Sequence, residues 1–203
     1  MTVPSTARYP VKTTDVLFVL SLIASTAPCA ETMAQTRLTE PAEVPDVPDV
    51  MVSELNGVYH VSATFSVAQS ASGIFDVLTG YEQIPRYMPD VRSSRVVERS
   101  DGRAVVEQEA VARVMMFSKR IHLVLDILEA QQTIRFRDRC GKSFERYEGA
   151  WTLTVKSPER VDVRYELTAK PSFDVPAFLL KRLLQRDARE MIRRLQNEMT
   201  RPR

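Results

Sequence analysis

Residues 160–199 read RVDVRYELTAKPSFDVPAFLLKRLLQRDAREMIRRLQNEM, and the spacing of the apolar side chains changes once within them. Val163, Tyr165 and Leu167 alternate with polar residues, which is the two-residue period of a strand with one buried face. Beyond Pro171 and Pro176 the apolar residues fall at Leu180, Leu184, Ala188, Met191, Leu195 and Met199, with Leu183 and Ile192 widening the stripe. That spacing predicts a long amphipathic helix, and Pro176 suits its first turn. The opposite face carries Lys181, Arg182, Arg186, Arg189, Arg193 and Arg194. A helix with one apolar stripe must bury it against another layer.

Working back along the chain, turn signals recur at regular intervals. Asp101-Gly102 is a hairpin signal, Gln131-Gln132 a weaker break, Cys140-Gly141-Lys142 a glycine turn, and Ser157-Pro158-Glu159 a proline turn. Between them the chain predicts strands at about 58–67, 91–99, 103–116, 119–128, 133–139, 143–156 and 160–169. Tight turns join only antiparallel neighbours, so the last six form a meander. Two short helices follow the first strand. Ser70 opens one, Ile74, Phe75, Val77 and Leu78 give it an apolar face, and Gly80 ends it; a further helical turn over 81–88 leads into Met88-Pro89. The expected fold is α+β: a curved seven-stranded antiparallel sheet wrapped around the C-terminal helix, with space between the two near the sheet's open end.

The segment Phe75-Asp76-Val77-Leu78-Thr79-Gly80-Tyr81-Glu82-Gln83-Ile84-Pro85-Arg86-Tyr87-Met88-Pro89-Asp90-Val91 resembles the first helices of the START-like, or SRPBCC, superfamily. It is most similar to the polyketide cyclase/dehydrase and lipid-transport group, which includes coenzyme Q-binding proteins. Gly149-Ala150-Trp151-Thr152-Leu153 and the spacing of Pro171 and Pro176 before the last helix fit the same group. The resemblance covers about 57–199 and implies a helix-grip fold with a hydrophobic cavity between sheet and helix. It does not choose among carriers, cyclases and binders.

The first fifty residues carry different information. Arg8 and Lys12 precede Val16–Ala24, which is apolar except for Ser21, and small residues follow. This is the pattern of a secretory signal peptide over 1–34, with cleavage after Ala30 or, preferably, after Ala34. Asp15 before the apolar run departs from the pattern, so an uncleaved anchor stays open, as does a lipoprotein signal at Cys29. Residues 35–56, with Pro41, Pro45 and Pro48 among acidic residues, read as an extended linker. The ligand-binding domain is then 57–199, with a tail at 200–203. The expected compartment is periplasmic or extracellular.

Composition excludes several classes. Twenty-eight basic residues face 26 acidic ones, a net charge of +2 that gives no argument for nucleic acid. Two cysteines and two histidines exclude a disulfide framework, a cysteine-based zinc site and a histidine-rich metal centre. No apolar run reaches the roughly 18–20 residues of a membrane-spanning helix. GxSxG, HExxH, P-loop and GxGxxG motifs are absent. His60 alternates with Val58 and Ser62 and shares their face, and His122, opposite Ile121, Leu123, Leu125 and Ile127, falls on the outer face. We therefore expect neither cofactor nor metal, and enzymatic chemistry less than binding.

Alternation assigns the pocket wall to Gln108, Ala110, Ala112, Val114, Met116, Leu123, Leu125, Tyr147, Trp151 and Tyr165, with Leu180 and Leu184 from the helix. Small Ala110 and Ala112 among large residues leave room for a ligand. Arg137 is a fourth polar residue expected to reach inward with Gln108, Tyr147 and Tyr165, although Ile134 and Phe136 compete for that face. The resemblance places the pocket mouth at Ile84, Pro85, Tyr87, Met88 and Pro89. Met115, Met116 and Phe117 add a flexible apolar cluster at a strand end. The expected partner is a lipid, isoprenoid quinone or polyketide-like molecule. The basic helix face, eight basic residues against four acidic ones over 173–203, offers contact with an anionic membrane. Two alternatives stay open: an aromatase/cyclase or dehydratase in which an Arg–Tyr pair stabilises an enolate, and an envelope interaction module without a ligand.

Overall fold

The computed structural model describes residues 48–114, 117–174 and 176–201. The expected signal peptide, 1–34, and residues 35–47 of the expected linker lie outside the described residues.

Eight antiparallel strands form one sheet. They are β1 (Asp49–Leu55), β2 (Val58–Val67), β3 (Val91–Ser100), β4 (Arg103–Val114), β5 (Phe117–Ala130), β6 (Thr133–Asp138), β7 (Phe144–Ser157) and β8 (Arg160–Pro171). Their order across the sheet is β1-β2-β8-β7-β6-β5-β4-β3. The expected meander spans β3 to β8. The strand count corrects the expectation of seven: β1 comes out of the segment read as linker. It pairs with β2 from Asp49↔Thr64 to Leu55↔Val58. The hairpin is closed by Asn56 and Gly57, with φ of 53° and 76°. Two positive-φ residues are what a two-residue turn needs to follow the twist of its strands, and Asn-Gly supplies them at least cost.

Three α-helices complete the domain among the described residues. Ser70 caps α1 (Ala71–Thr79), its hydroxyl accepting from the Gly73 N–H at 3.2 Å. This satisfies one of the helix's orphan donors. A 3₁₀ turn (Tyr81–Gln83) runs into the short α2 (Ile84–Tyr87), and Pro89 prevents further helix. The long helix α3 (Ala177–Met199) starts directly after Pro176. Its stripe is buried through Leu180, Leu183, Ala188, Ile192, Leu195 and Met199. It packs on β1, β2, α1 and α2. Gln185 Nε2 donates to the Val50 carbonyl at 3.3 Å, and Arg194 Nη1 to the Tyr87 carbonyl at 3.3 Å. The core lies between α3, α1 and the concave face, with Phe65, Ile74, Val106, Val161, Val163 and Ile192 fully buried. Each such side chain contributes roughly 1.5–3 kcal/mol of transfer free energy.

Candidate functional site

Register sorts every strand residue onto one face, because directly paired residues point the same way. One row across the concave face runs Ala63↔Tyr165, Tyr165↔Trp151 and Trp151↔Ile134. The next runs Val61↔Leu167, Leu167↔Gly149, Gly149↔Phe136, Phe136↔Ile127 and Ile127↔Ala104. Gln108, Ala110 and Ala112 continue the face along β4, opposite Leu123, Ile121 and Lys119 of β5.

Aromatic rings dominate this face. Trp151 and Tyr165 lie 4.3 Å apart between centroids, Phe136 and Tyr165 6.5 Å, Phe136 and Tyr147 6.0 Å, Phe144 and Tyr147 4.8 Å, and Phe144 and Phe173 6.4 Å. Gly149 makes the arrangement possible: the Phe136 ring lies over its bare Cα, and the Glu166 carbonyl approaches from the neighbouring strand. Phe136, Phe144, Tyr147, Trp151 and Phe173 pack against the core yet keep accessible surface, as do Ala110, Ala112 and Leu184. α3 packs chiefly at the β1–β2 end of the sheet, and the inward residues of β8 and most of those of β5 are buried, so the accessible part of the concave face lies over β6 and the N-terminal half of β7.

Two hydroxyls serve this wall. The Tyr165 hydroxyl is paired with that of Tyr147. Burial pushes the Tyr147 phenol up to about 12, the nearby Asp138 charge adds to this, and the Tyr165 hydroxyl opposes it. Burial likewise raises Tyr165 well above the ordinary tyrosine range. Both are neutral phenols near neutral pH, suited to donating hydrogen bonds to a carbonyl or hydroxyl and unsuited to acting as bases. Gln108 is the third polar group, its Nε2 donating to Ser94 Oγ at 3.1 Å.

Arg137 is a correction. It pairs with Glu148 across the outer face, Nε to Oε2 at 3.4 Å, with its side chain 76% exposed. Ile134 and Phe136 take the inner positions of β6, and strict alternation turns Arg137 outward. The other predicted residues are placed as follows. Leu123 and Leu125 are buried beneath the wall, and Leu184 faces it from α3. Leu180 sits apart, packed with Tyr59 and Leu183. Val114 ends β4, and Met116, with Met115, lies outside the described residues. Ile84, Tyr87 and Met88 pack half-buried against the core, Pro85 is half-buried beside them, and Pro89 is exposed.

Phe144, Phe173 and Lys119 are wall residues outside the set read from the sequence, and Phe136, read there only as a competitor of Arg137 for the inner face, joins them. Phe136 was signalled by its alternation with Ile134. Phe144 could not be placed by counting, because a register shift between Phe144 and Arg146 breaks the parity with Tyr147. Lys119 has the parity of Ile121, but a lysine reads as surface.

The outer face of the sheet has a groove of about 1020 Å³. It is lined by ion pairs such as Arg137–Glu148 and Arg139–Asp126, a poor match for an apolar molecule. Among the described residues no group of three His, Cys, Asp or Glu side chains is placed to hold a metal ion.

Solved structures share this fold at low identity. The STAR-related lipid transfer protein from Xanthomonas axonopodis (fragment 25–204) matches with a TM-score of 0.61 and 19% identity, over 79% of this chain and 97% of that one. The Zhui aromatase/cyclase from Streptomyces sp. R1128 matches with a TM-score of 0.60 and 14% identity, over 70% and 93%. Human STARD10 matches with a TM-score of 0.59 and 11% identity, over 77% and 74%. No curated protein matches the chain. The family model for polyketide cyclase/dehydrase and lipid transport matches residues 67–196, and with that match and the helix-grip architecture the chain belongs to this family.

Proposed function

We propose that the protein is a carrier that holds a hydrophobic small molecule, without covalent chemistry, between the concave face and α3. The observation that carries this reading is that the wall aromatics Phe136, Phe144, Tyr147 and Trp151 pack against the core yet keep part of their surface accessible. A ligand covering them would gain roughly 25 cal/mol for each Å² of apolar surface removed from water. The paired phenols would orient an oxygen of that ligand. Lipid, isoprenoid quinone and polyketide-like molecules all combine an apolar body with such an oxygen.

The fold is equally compatible with aromatase or cyclase activity. That reading has the two neutral phenols for an enolate oxygen. It loses Arg137, which stands on the other face, and so it takes second place.

The pattern of residues 1–34 supports export, and we place the carrier in the envelope on that ground. Contact with an anionic membrane through α3 belongs to the same proposal in a narrower form. Arg193 and Arg194 pair with Glu190, Arg186 with Asp187 and Arg201 with Glu198. Lys181, Arg182 and Arg189 are exposed and have no ion pair among the described residues, and Phe178 beside them is 77% exposed. The test is native mass spectrometry of the full-length protein recovered from the envelope, followed by solvent extraction. The expected result is an N-terminus at Gln35 and a co-purifying lipid-like mass. A protein that stays empty after exposure to lipids and quinones would rule out the carrier.

A further inference from the structure

We infer that the molecule held in this cleft is an amphiphile with an anionic head, and that Lys119 at the open end receives the head. The inference rests on the carrier reading and narrows its ligand class. By register, Val91↔Ala110, Ala112↔Lys119 and Phe144↔Pro171 all lie at one end of the sheet. The loop after β8 meets the loop before β7 there, with the Ser172 N–H donating to the Ser143 carbonyl at 3.1 Å.

Lys119 pairs with Ala112 on the concave side, in line with Ile121, Leu123 and Leu125, and a cation there stands over an apolar wall. Its ammonium sits 5.1 Å from the centre of the Phe173 ring. Among the described residues it has no carboxylate partner. Two other charges at this end are matched: Arg113 pairs with Asp90, and Lys170 with Glu145. From Phe173 an unbroken run of rings leads inward through Phe144, Tyr147, Phe136 and Tyr165 to Trp151. A cation at the rim and aromatic surface behind it fit a molecule whose charge stays at the water boundary while its tail is buried. A charge carried inside would lose its hydration without compensation, so the head must remain at the rim. A carboxylate and a phosphate monoester satisfy this chemistry equally.

Trp151 is the only tryptophan and stands at the inner end of the run, so its fluorescence reports occupancy of the site. The experiment titrates the full chain with dodecanoate, dodecyl phosphate and dodecanol, each below its aggregation threshold. It is repeated with Lys119→Gln and Lys119→Arg. Dodecanoate or dodecyl phosphate should bind about tenfold or more tightly than dodecanol, the range of one charge-assisted contact. Lys119→Gln should remove that advantage while leaving dodecanol within about twofold, and Lys119→Arg should restore most of it. Preference between the two anions separates a fatty-acid-like head from a phospholipid-like one, and either supports the inference. Equal binding of acid and alcohol, unchanged in Lys119→Gln, overturns it and leaves the carrier standing. No binding of any of the three overturns this inference without Lys119 being at fault, because the carrier reading then fails with it.

Discussion

A Cβ at position 149 would lie 2.2 Å from the Glu166 carbonyl oxygen and 2.6 Å from Cζ of Phe136. The first neighbour is backbone and cannot step aside, so Gly149→Ala must distort the β7–β8 seam as well as the ring. We expect a loss of roughly 2–4 kcal/mol in urea denaturation. A wild-type midpoint would show that the seam yields. The phenols of the wall give a different expectation. Tyr147 titrates near 12 in the folded protein against about 10 when unfolded. Its contribution to stability is therefore fully present below about pH 10 and is lost as pH rises through about 12. Tyr147→Phe should blunt that alkaline loss. An unchanged alkaline profile in Tyr147→Phe would show that this phenol is not desolvated.

At the scale of elements, the β1–β2 hairpin shows what could be read from the sequence and what could not. Seven strands, both short helices and α3 were legible because each has a sustained period bounded by turn residues. β1 has almost no period to read: Val50 is buried, Val52 half-buried, and the other five residues are exposed. It is an edge strand, and the prolines just before it dominate the composition of its neighbourhood. Asn56-Gly57 is a strong hairpin signal, but it stands at the end of a stretch whose prolines and acidic residues read as linker. Gly57 has open space around its Cα but a φ of 76°. Gly57→Ala should therefore cost about 1 kcal/mol through backbone conformation alone. A neutral result in thermal melts would contradict that argument. The candidate site divides in the same way. Its β-strand members follow from parity, except where the bulge before Arg146 breaks the count, and its polar members do not. Arg137 and Lys119 carry the same charge and exchange the faces that intuition assigns them.

The 3₁₀ turn ahead of α2 is fastened by one carboxylate. Glu129 accepts from the Tyr81 hydroxyl at 2.9 Å and from Arg99 at 2.8 Å, and the Arg99 guanidinium also lies over the Tyr81 ring. Removing Glu129 strands a buried hydroxyl and a cation, so Glu129→Ala should speed amide exchange across 81–88 more than in α1. Uniform exchange across both segments would show that the turn is held by its apolar contacts.

For the whole molecule, occupancy and stability are linked. A ligand at a hundred times its dissociation constant adds about 2.7 kcal/mol, so the proposed carrier function predicts a higher melting temperature when a lipid-like ligand is added. Truncation up to Asn56 should do the reverse, uncovering the edge of β2 and part of the α3 footprint, with aggregation visible in light scattering. A monodisperse, fully stable truncated chain would return residues 49–55 to the status of linker.

The seam between β2 and β8 sets an order of events in time. His60 and Thr168, whose side chains meet across it at 3.1 Å, are 108 residues apart in sequence. The hairpin that carries β2 is synthesised well before its permanent neighbours β8 and α3. Until β8 and α3 have been made, that hairpin has no partner on its inner sheet edge and lacks the cover of α3 on its apolar face. A chain made in that order cannot complete its sheet until β8 and α3 have followed.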